Sequence, residues 1–289
     1  MSGSVARRSC ATAGVYCGHE RVEALIVSQR VAVSVQDHVA EVTLSRPEKF
    51  NALDLDMFRA LDVAARDLHE TRGVRAVVLC GAGENFCAGI DVDMLQGDTE
   101  EVMRELMSVD ERLGATLAQR VAWAWRALPV PVVCAMQGIA FGGGFQIAMG
   151  ADLRFAAPDA RFSIMESKWG LIPDMALSTT LRHLVAPDRV KELAFTARVF
   201  GADEALDLGI ITRIEDDPVG VARETAAAIS RKSPDAIRGI KRLINDAWSL
   251  SERESLALEA AIQGDLLRLP NQSEAVRANF EKRQPEFDD

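Results

Sequence analysis

From Val31 to Leu44 apolar and polar residues alternate. Val31, Val33 and Val35 share one face, Val39 follows a Gln-Asp pair, and Val42 and Leu44 complete the second run. Two short runs of period two predict a β-hairpin over 31–44. The period then changes. After SRPEKFNALD, residues Met57, Phe58, Leu61, Ala64, Ala65 and Leu68 recur three and four apart, predicting an amphipathic helix from Asp54 that ends near Gly73. VRAVVLCGAG is a near-continuous apolar run, the pattern of a strand covered on both faces. Residues 100–127 read as helix, with Trp123 and Trp125 near its end. PVPVVCAMQGIAFGGG reads as a second buried strand running into three glycines, and FQIAMGADLRFAAP as a short helix followed by a strand at 152–156. From about residue 186 the pattern is helical.

Strands alternating with helices indicate an α/β fold, here with a helical C-terminal part. The expected organisation is an N-terminal extension over 1–30, an α/β core over 31–225 and a helical region over 226–289. The opening MSGSVARRSC is small, polar and basic and lacks the apolar centre of a secretory signal. A disordered extension and a transit peptide both stay open.

Composition narrows the partners. The 289 residues are 48% hydrophobic and 26% charged with net charge −10, as in ordinary globular proteins. No apolar run approaches the roughly 18 residues of a membrane span. The acidic balance argues against nucleic acid or an anionic membrane as partner. The five cysteines form no CxxC pair and the four histidines do not cluster with them, so no metal site is expected and a reducing, cytoplasmic setting is.

Two glycine-containing turns follow the buried strands: GAGENFCAGIDV (81–92) and GIAFGGGFQ (138–146). Bare backbone lets a ligand approach closely, and N–H groups at such turns, aided by a helix beginning there, can converge on one oxygen. Alone, GAGENF is half of a dinucleotide-binding fingerprint and GGG an ordinary tight turn; the pair in this order is the informative feature.

SRPEKFNALD, GAGENFCAGIDV, PVPVVCAMQGIAFGGGFQIAMGADLRFA and GLIP together resemble the crotonase (enoyl-CoA hydratase/isomerase) family, in order from about Val31 to Asn245. The resemblance implies a spiral of ββα units, a helical C-terminal region that mediates a homotrimer or a dimer of trimers, and an acyl-CoA thioester substrate. No separate cofactor is implied, because coenzyme A is part of the substrate. It further implies an oxyanion hole from the backbone N–H groups of Ile90 and Gly143, and a CoA and substrate pocket involving Ala88, Gly89, Asp91 and Gly142. Lys49 is a candidate for the CoA phosphates, with Lys241 and Arg242 weaker ones; for each, a solvated surface charge is the competing reading.

The resemblance also implies where proton chemistry sits. Hydratases of the family use two glutamates, and the first of those positions here is Gln146, which cannot take up or release a proton near neutral pH. The second is Glu166. Asp174 lies eight residues further on, at the spacing of an aspartate in the family's dienoyl-CoA isomerases, although those also carry an acid where Gln146 stands. The monofunctional Δ3,Δ2-enoyl-CoA isomerases use one glutamate, at the position of Glu166, and this pattern fits the chain directly. Asp174 also follows Pro173 ahead of an expected helix, where it could be an N-cap. Cys87 reads as packing rather than nucleophile, and Trp169 as a pocket or core residue. The expected function is therefore acyl-CoA chemistry by Glu166, with isomerisation favoured. Hydration, another reaction of the family and a catalytically weak acyl-CoA-binding protein are the alternatives.

Overall fold

The larger sheet starts before the predicted hairpin. In this computed structural model, which describes residues 13–17, 20–26, 28–96, 99–111 and 113–289, β1 (Ala13–Cys17) and β2 (Glu20–Ile26) form an antiparallel pair. β2 then pairs with β3 (Val31–Gln36). Part of the expected extension over 1–30 therefore extends the sheet; its other residues, except 28–30, lie outside the described ones. β3 and β4 (Val39–Leu44) form the predicted hairpin, turning at Asp37 and His38, both with positive φ. Two left-handed residues between the strands match their right-handed twist.

β5 (Ala76–Gly81) runs parallel to β4 and is buried at every position. β6 (Val109–Asp110) and β7 (Ala115–Thr116) form a small separate hairpin. β8 (Val132–Met136), β9 (Ile139–Phe141), β10 (Leu153–Ala156), β11 (Arg161–Ser163), β12 (Phe200–Gly201) and β13 (Arg213–Ile214) complete the strands. The large sheet has the order β1-β2-β3-β4-β5-β8-β10-β13, antiparallel up to β4 and parallel from β4 onward. A second sheet, β12-β11-β9, pairs β9 and β11 in parallel.

The helices cover both faces of the large sheet. α1 (Leu55–Glu70) is capped by Asp54, whose side chain accepts from Met57 N–H at 2.9 Å, and it buries Met57, Phe58, Leu61 and Leu68 as the spacing predicts. The helix expected over 100–127 is instead broken into α2 (Glu100–Leu106) and α3 (Leu117–Ala127) by the β6–β7 hairpin. Thr116 and Gln119 restart it with a reciprocal capping box. The single strand expected into GGG is also two, β8 and β9, in different sheets. Gly138 turns the chain between them at φ +58°, where a Cβ would lie 2.3 Å from the Glu84 carbonyl oxygen.

α4 (Gly143–Met149), α5 (Leu177–Thr180), α6 (Pro187–Thr196) and α7 (Ala202–Asp207) follow. α8 (Pro218–Ser230) closes the second face over β5, β8 and β10, packing Ala222 and Ala226 against Ala76, Val78, Val133 and Phe155. α9 (Pro234–Ala247), α10 (Glu252–Leu266) and α11 (Pro270–Glu281) form the helical C-terminal region. These helices turn Ile240, Ile244, Trp248, Leu256 and Phe280 outward. The chain end returns to the core, where the buried Arg75 holds the Asp289 carboxylate at 2.8 Å and the Phe287 carbonyl at 2.8 Å. Among the described residues, no helix is long and apolar enough to cross a membrane.

Candidate active site

Neighbouring chain segments zip the two glycine turns together. Cys87 N–H donates to the Ile139 carbonyl at 3.0 Å and Phe141 N–H to the Cys87 carbonyl at 3.0 Å. On the other side, Ala88 N–H donates to Phe50, Leu53 N–H to Gly89 and Asp91 N–H to Leu53. Asn51 locks this second seam. Its side-chain amide donates to the Ala82 and Asn85 carbonyls at 2.9 and 2.8 Å, and its oxygen accepts from Arg46 N–H at 2.8 Å. The backbone N–H groups of Phe86, Cys87, Ala88 and Asp91 thus have carbonyl acceptors, and Gly89 N–H faces the Cys87 sulfur at 3.4 Å. Among the described residues, Ile90 N–H has no hydrogen-bond acceptor.

The second turn leaves Gly143 in the same position. Gly142 N–H continues the β9–β11 pairing by donating to Ser163 at 2.9 Å, and the next amide that finds a carbonyl is Gln146, bonded to Gly142. Gly143 opens α4, and the first N–H groups of a helix have no partner within it. The two turns are in contact: a Cβ built on Gly89 would lie 3.4 Å from the Gly143 nitrogen. Ile90 and Gly143 line one cavity of about 280 Å³, together with Ala88, Gly89, Gly142, Gln146, Glu166 and Asp174.

The second sheet brings the acid to the same place. β9 and β11 are adjacent and parallel, so their C-terminal ends lie side by side; Gly143 follows one and Glu166 the other. Phe145 anchors α4 in an aromatic cluster with Phe162 and Phe200, at 6.4 and 6.1 Å between ring centres. This fixes the direction in which Gln146 faces. Gln146 is buried and held at both ends. Its oxygen accepts from Met175 N–H at 2.9 Å and its nitrogen donates to Glu166 Oε1 at 2.6 Å. A flipped amide would set its N–H₂ against an N–H and its oxygen against a carboxylate, so the network selects one orientation.

Glu166 is 8% exposed, and its Oε2 has no hydrogen-bond partner although the atom is buried. Burial pushes its carboxyl above the usual carboxylate range and nearby Asp174 adds to the rise, while the Gln146 amide opposes it. Gly142 makes room for this carboxylate: at φ +50°, a Cβ there would lie 3.3 Å from Glu166 Oε1. Asp174 is exposed at the cavity rim, and partial desolvation raises its carboxyl as well. It is not an N-cap, because Ala176 starts α5 with no side-chain cap.

Other residues separate from the site. Asp91 is absent from the cavity lining; its carboxylate pairs with Arg46 Nη1 at 2.6 Å and accepts from Asp93 N–H. Lys49 lies outside the lining, exposed, 3.4 Å from Asp93. Lys241 is neither a surface charge nor at this cavity. It is buried, pairs with Asp152 at 2.7 Å and donates to the Trp125 and Val130 carbonyls, and burial lowers its pKa. A larger cavity of about 670 Å³ lies beside it under α9 and shares no lining residue with the cavity at the glycine turns. Arg242 is exposed, 3.9 Å from Asp246. Cys87 is fully buried with its thiol pushed up to about 12 by desolvation, so it is a packing residue rather than a nucleophile. Trp169 lines the cavity, half exposed, under Lys168. Among the described residues, no three His, Cys, Asp or Glu side chains are grouped to hold a metal ion.

Which residues form the cavity's apolar wall could not be read from the sequence. Phe58 of α1, Met103 and Leu106 of α2, and Ala118 of α3 form it. Apolar helix positions facing a core and those facing a cavity share one period, so no pattern distinguishes them. Two unpartnered backbone amides in the lining of a cavity that also holds a desolvated carboxylate suit an enzyme that holds a carbonyl oxygen while moving a proton near it.

Comparison with known proteins agrees with that class. A sequence model described as enoyl-CoA hydratase/isomerase matches residues 34–289. The chain is 32% identical to the short-chain-enoyl-CoA hydratase of Clostridium acetobutylicum, over 89% of this chain and 96% of the relative. It is 34% identical to the mitochondrial Delta(3,5)-Delta(2,4)-dienoyl-CoA isomerase of Mus musculus, over 86% and 79%. The crystal structure of an enoyl-CoA hydratase from Bacillus anthracis superposes with a TM-score of 0.79 at 28% identity, covering 90% of this chain and 99% of that one. The chain belongs to the enoyl-CoA hydratase/isomerase, or crotonase, family and is an enzyme of that kind.

Proposed function

We propose that the protein moves the double bond of an enoyl-CoA thioester, with Glu166 as the proton carrier and Gln146 as its support. The observation that carries this reading is the bond from the Gln146 amide to Glu166 Oε1, which leaves the buried Oε2 as the carboxylate's unpaired oxygen. The relatives' names divide between hydration and isomerisation, so they do not choose between the two.

The thioester carbonyl oxygen would accept from Ile90 and Gly143 N–H. Glu166 as carboxylate takes a proton from C2 of a 3-enoyl thioester. The electron pair delocalises over C2, C4 and the thioester oxygen as a dienolate, whose charge the two amides stabilise. The protonated Glu166 then delivers the proton to C4, leaving the double bond between C2 and C3 and the mass unchanged. Each amide is worth about 10²–10³ in rate in comparable sites. The raised pKa of Glu166 brings it closer to the ideal for a base working near neutral pH. Coenzyme A enters as part of the substrate, no other cofactor is required, and the setting is cytoplasmic. The outward apolar side chains of α9–α11 suit assembly as a homotrimer or a pair of trimers.

Asp174 supports a second reading within the same class. It lines the cavity with a raised carboxyl pKa, so it can serve as a second proton donor on a longer conjugated substrate, a 3,5-dienoyl-CoA. Hydration is disfavoured because a water attacking C3 needs a second proton-transferring group at the position Gln146 occupies. Gln146→Glu should therefore raise the rate of hydration of a 2-enoyl-CoA by about tenfold or more, the low end of what a positioned acid–base group contributes. A carboxylate at 146 can still accept from Met175 N–H and shares a proton with Glu166. Unchanged hydration in this variant would count against the mechanism.

A further inference from the structure

We infer that the apolar end of the cavity closes on the acyl chain and limits the substrate to about ten carbons or fewer, with Met103, Leu106 and Ala118 setting the limit. The inference rests on the acyl-CoA reading above and names its substrate class. The cavity lining has two chemically distinct parts. One is polar: the two amides, Gln146, Glu166 and Asp174. The other is apolar: Phe58, Met103, Leu106 and Ala118, from three helices, with no polar side chain among them.

Much of that wall is buried. Phe58, Leu106 and Ala118 are 2%, 5% and 4% exposed, and Met103 packs against the main core, while Met107 beside Leu106 reaches the surface. α2, which supplies Met103 and Leu106, is pinned to α1 by Arg59, whose guanidinium bonds both Glu105 carboxylate oxygens at 2.6 Å. A buried apolar wall suits a terminal methyl group rather than a charged or hydroxylated tail, whose polar atoms would be buried without partners.

Volume sets the limit. An apolar cavity of 150 Å³ accepts benzene, six carbons. At the same ratio the observed cavity of about 280 Å³ holds about eleven carbons. Because its mouth at Val92, Trp169 and Leu171 also belongs to that volume, the acyl chain itself has room for about ten at most.

The test is a binding series with saturated acyl-CoAs, butyryl, hexanoyl, octanoyl, decanoyl and palmitoyl, by calorimetry on the whole protein, run beside turnover of the matching 3-enoyl-CoAs. Each added methylene should tighten binding about fourfold while the chain fills the cavity. The gain should stop or reverse between decanoyl and palmitoyl. Ala118→Leu should move that break to a shorter chain. Met103→Ala should move it to a longer one. A constant gain through palmitoyl-CoA, or variants that shift all lengths equally, would overturn the inference. Binding reads the length limit whichever reaction the enzyme performs. Loss of isomerisation with the break intact would sink only the functional reading, and the reverse pattern only the length limit.

Discussion

Glu166→Gln should lower turnover of a 3-enoyl-CoA by about 10²–10⁴-fold, the contribution of a positioned acid–base group, with little change in affinity for a saturated acyl-CoA. The amide oxygen of the new Gln can still accept from Gln146, so the local network persists while the proton carrier is gone. Wild-type activity should rise with pH through an inflection above the usual carboxylate range, because Glu166 acts as carboxylate and burial raises its pKa. The same shift has a stability consequence. A carboxyl whose pKa is higher folded than unfolded binds its proton more tightly in the folded state, so its burial costs stability once pH exceeds the unfolded value, and the cost is complete above the folded one. Glu166→Gln should therefore melt at a higher temperature than wild type at neutral pH, with the difference shrinking as pH falls through the raised folded pKa and vanishing below the ordinary carboxylate range. A variant that retains turnover, or one that melts lower at neutral pH, would contradict this role for Glu166.

The second large effect belongs to the backbone. Gly89→Ala should reduce kcat/KM by about 10²–10³-fold, the loss of one oxyanion donor. Gly89 sits at φ +87°, and a Cβ there would lie 2.6 Å from the Phe141 carbonyl oxygen. Relief requires the two turns to part, which would separate Ile90 N–H from Gly143 N–H. The left-handed backbone adds a stability cost of order 1–3 kcal/mol. Steady-state kinetics on the folded variant, with a thermal melt beside it, reads both effects. Unchanged kcat/KM would mean that these amides do not act together.

What the sequence revealed followed from locality. The hairpin, α1 and the strand–glycine turns are written in neighbouring residues, and the family resemblance attached Ile90, Gly143, Glu166 and Gln146 to them. All four line one cavity. The sequence could not show that Gln146 is gripped by Met175 N–H, 29 residues away, or that Asp91 turns from the cavity to Arg46, 45 residues back. Nor could it show Asn51 clamping the first turn. Such contacts depend on how strands align, and a polar residue has the same identity whether its partner is protein or ligand. The short strands β11 to β13 left no periodicity to read. Lys241 was hidden for the same reason: charge suggests solvent until the half-buried Asp152 is found opposite it.

The central claim, one carboxylate moving a double bond without adding water, is tested most directly by giving the purified enzyme a 3-enoyl-CoA and a 2-enoyl-CoA of equal length and following absorbance and mass. The expected result is rapid conversion of the 3-enoyl to the 2-enoyl thioester at constant mass, with the 2-enoyl thioester gaining water far more slowly. A mass gain of one water on the 2-enoyl-CoA, as fast as or faster than isomerisation and with Gln146 in place, would contradict it.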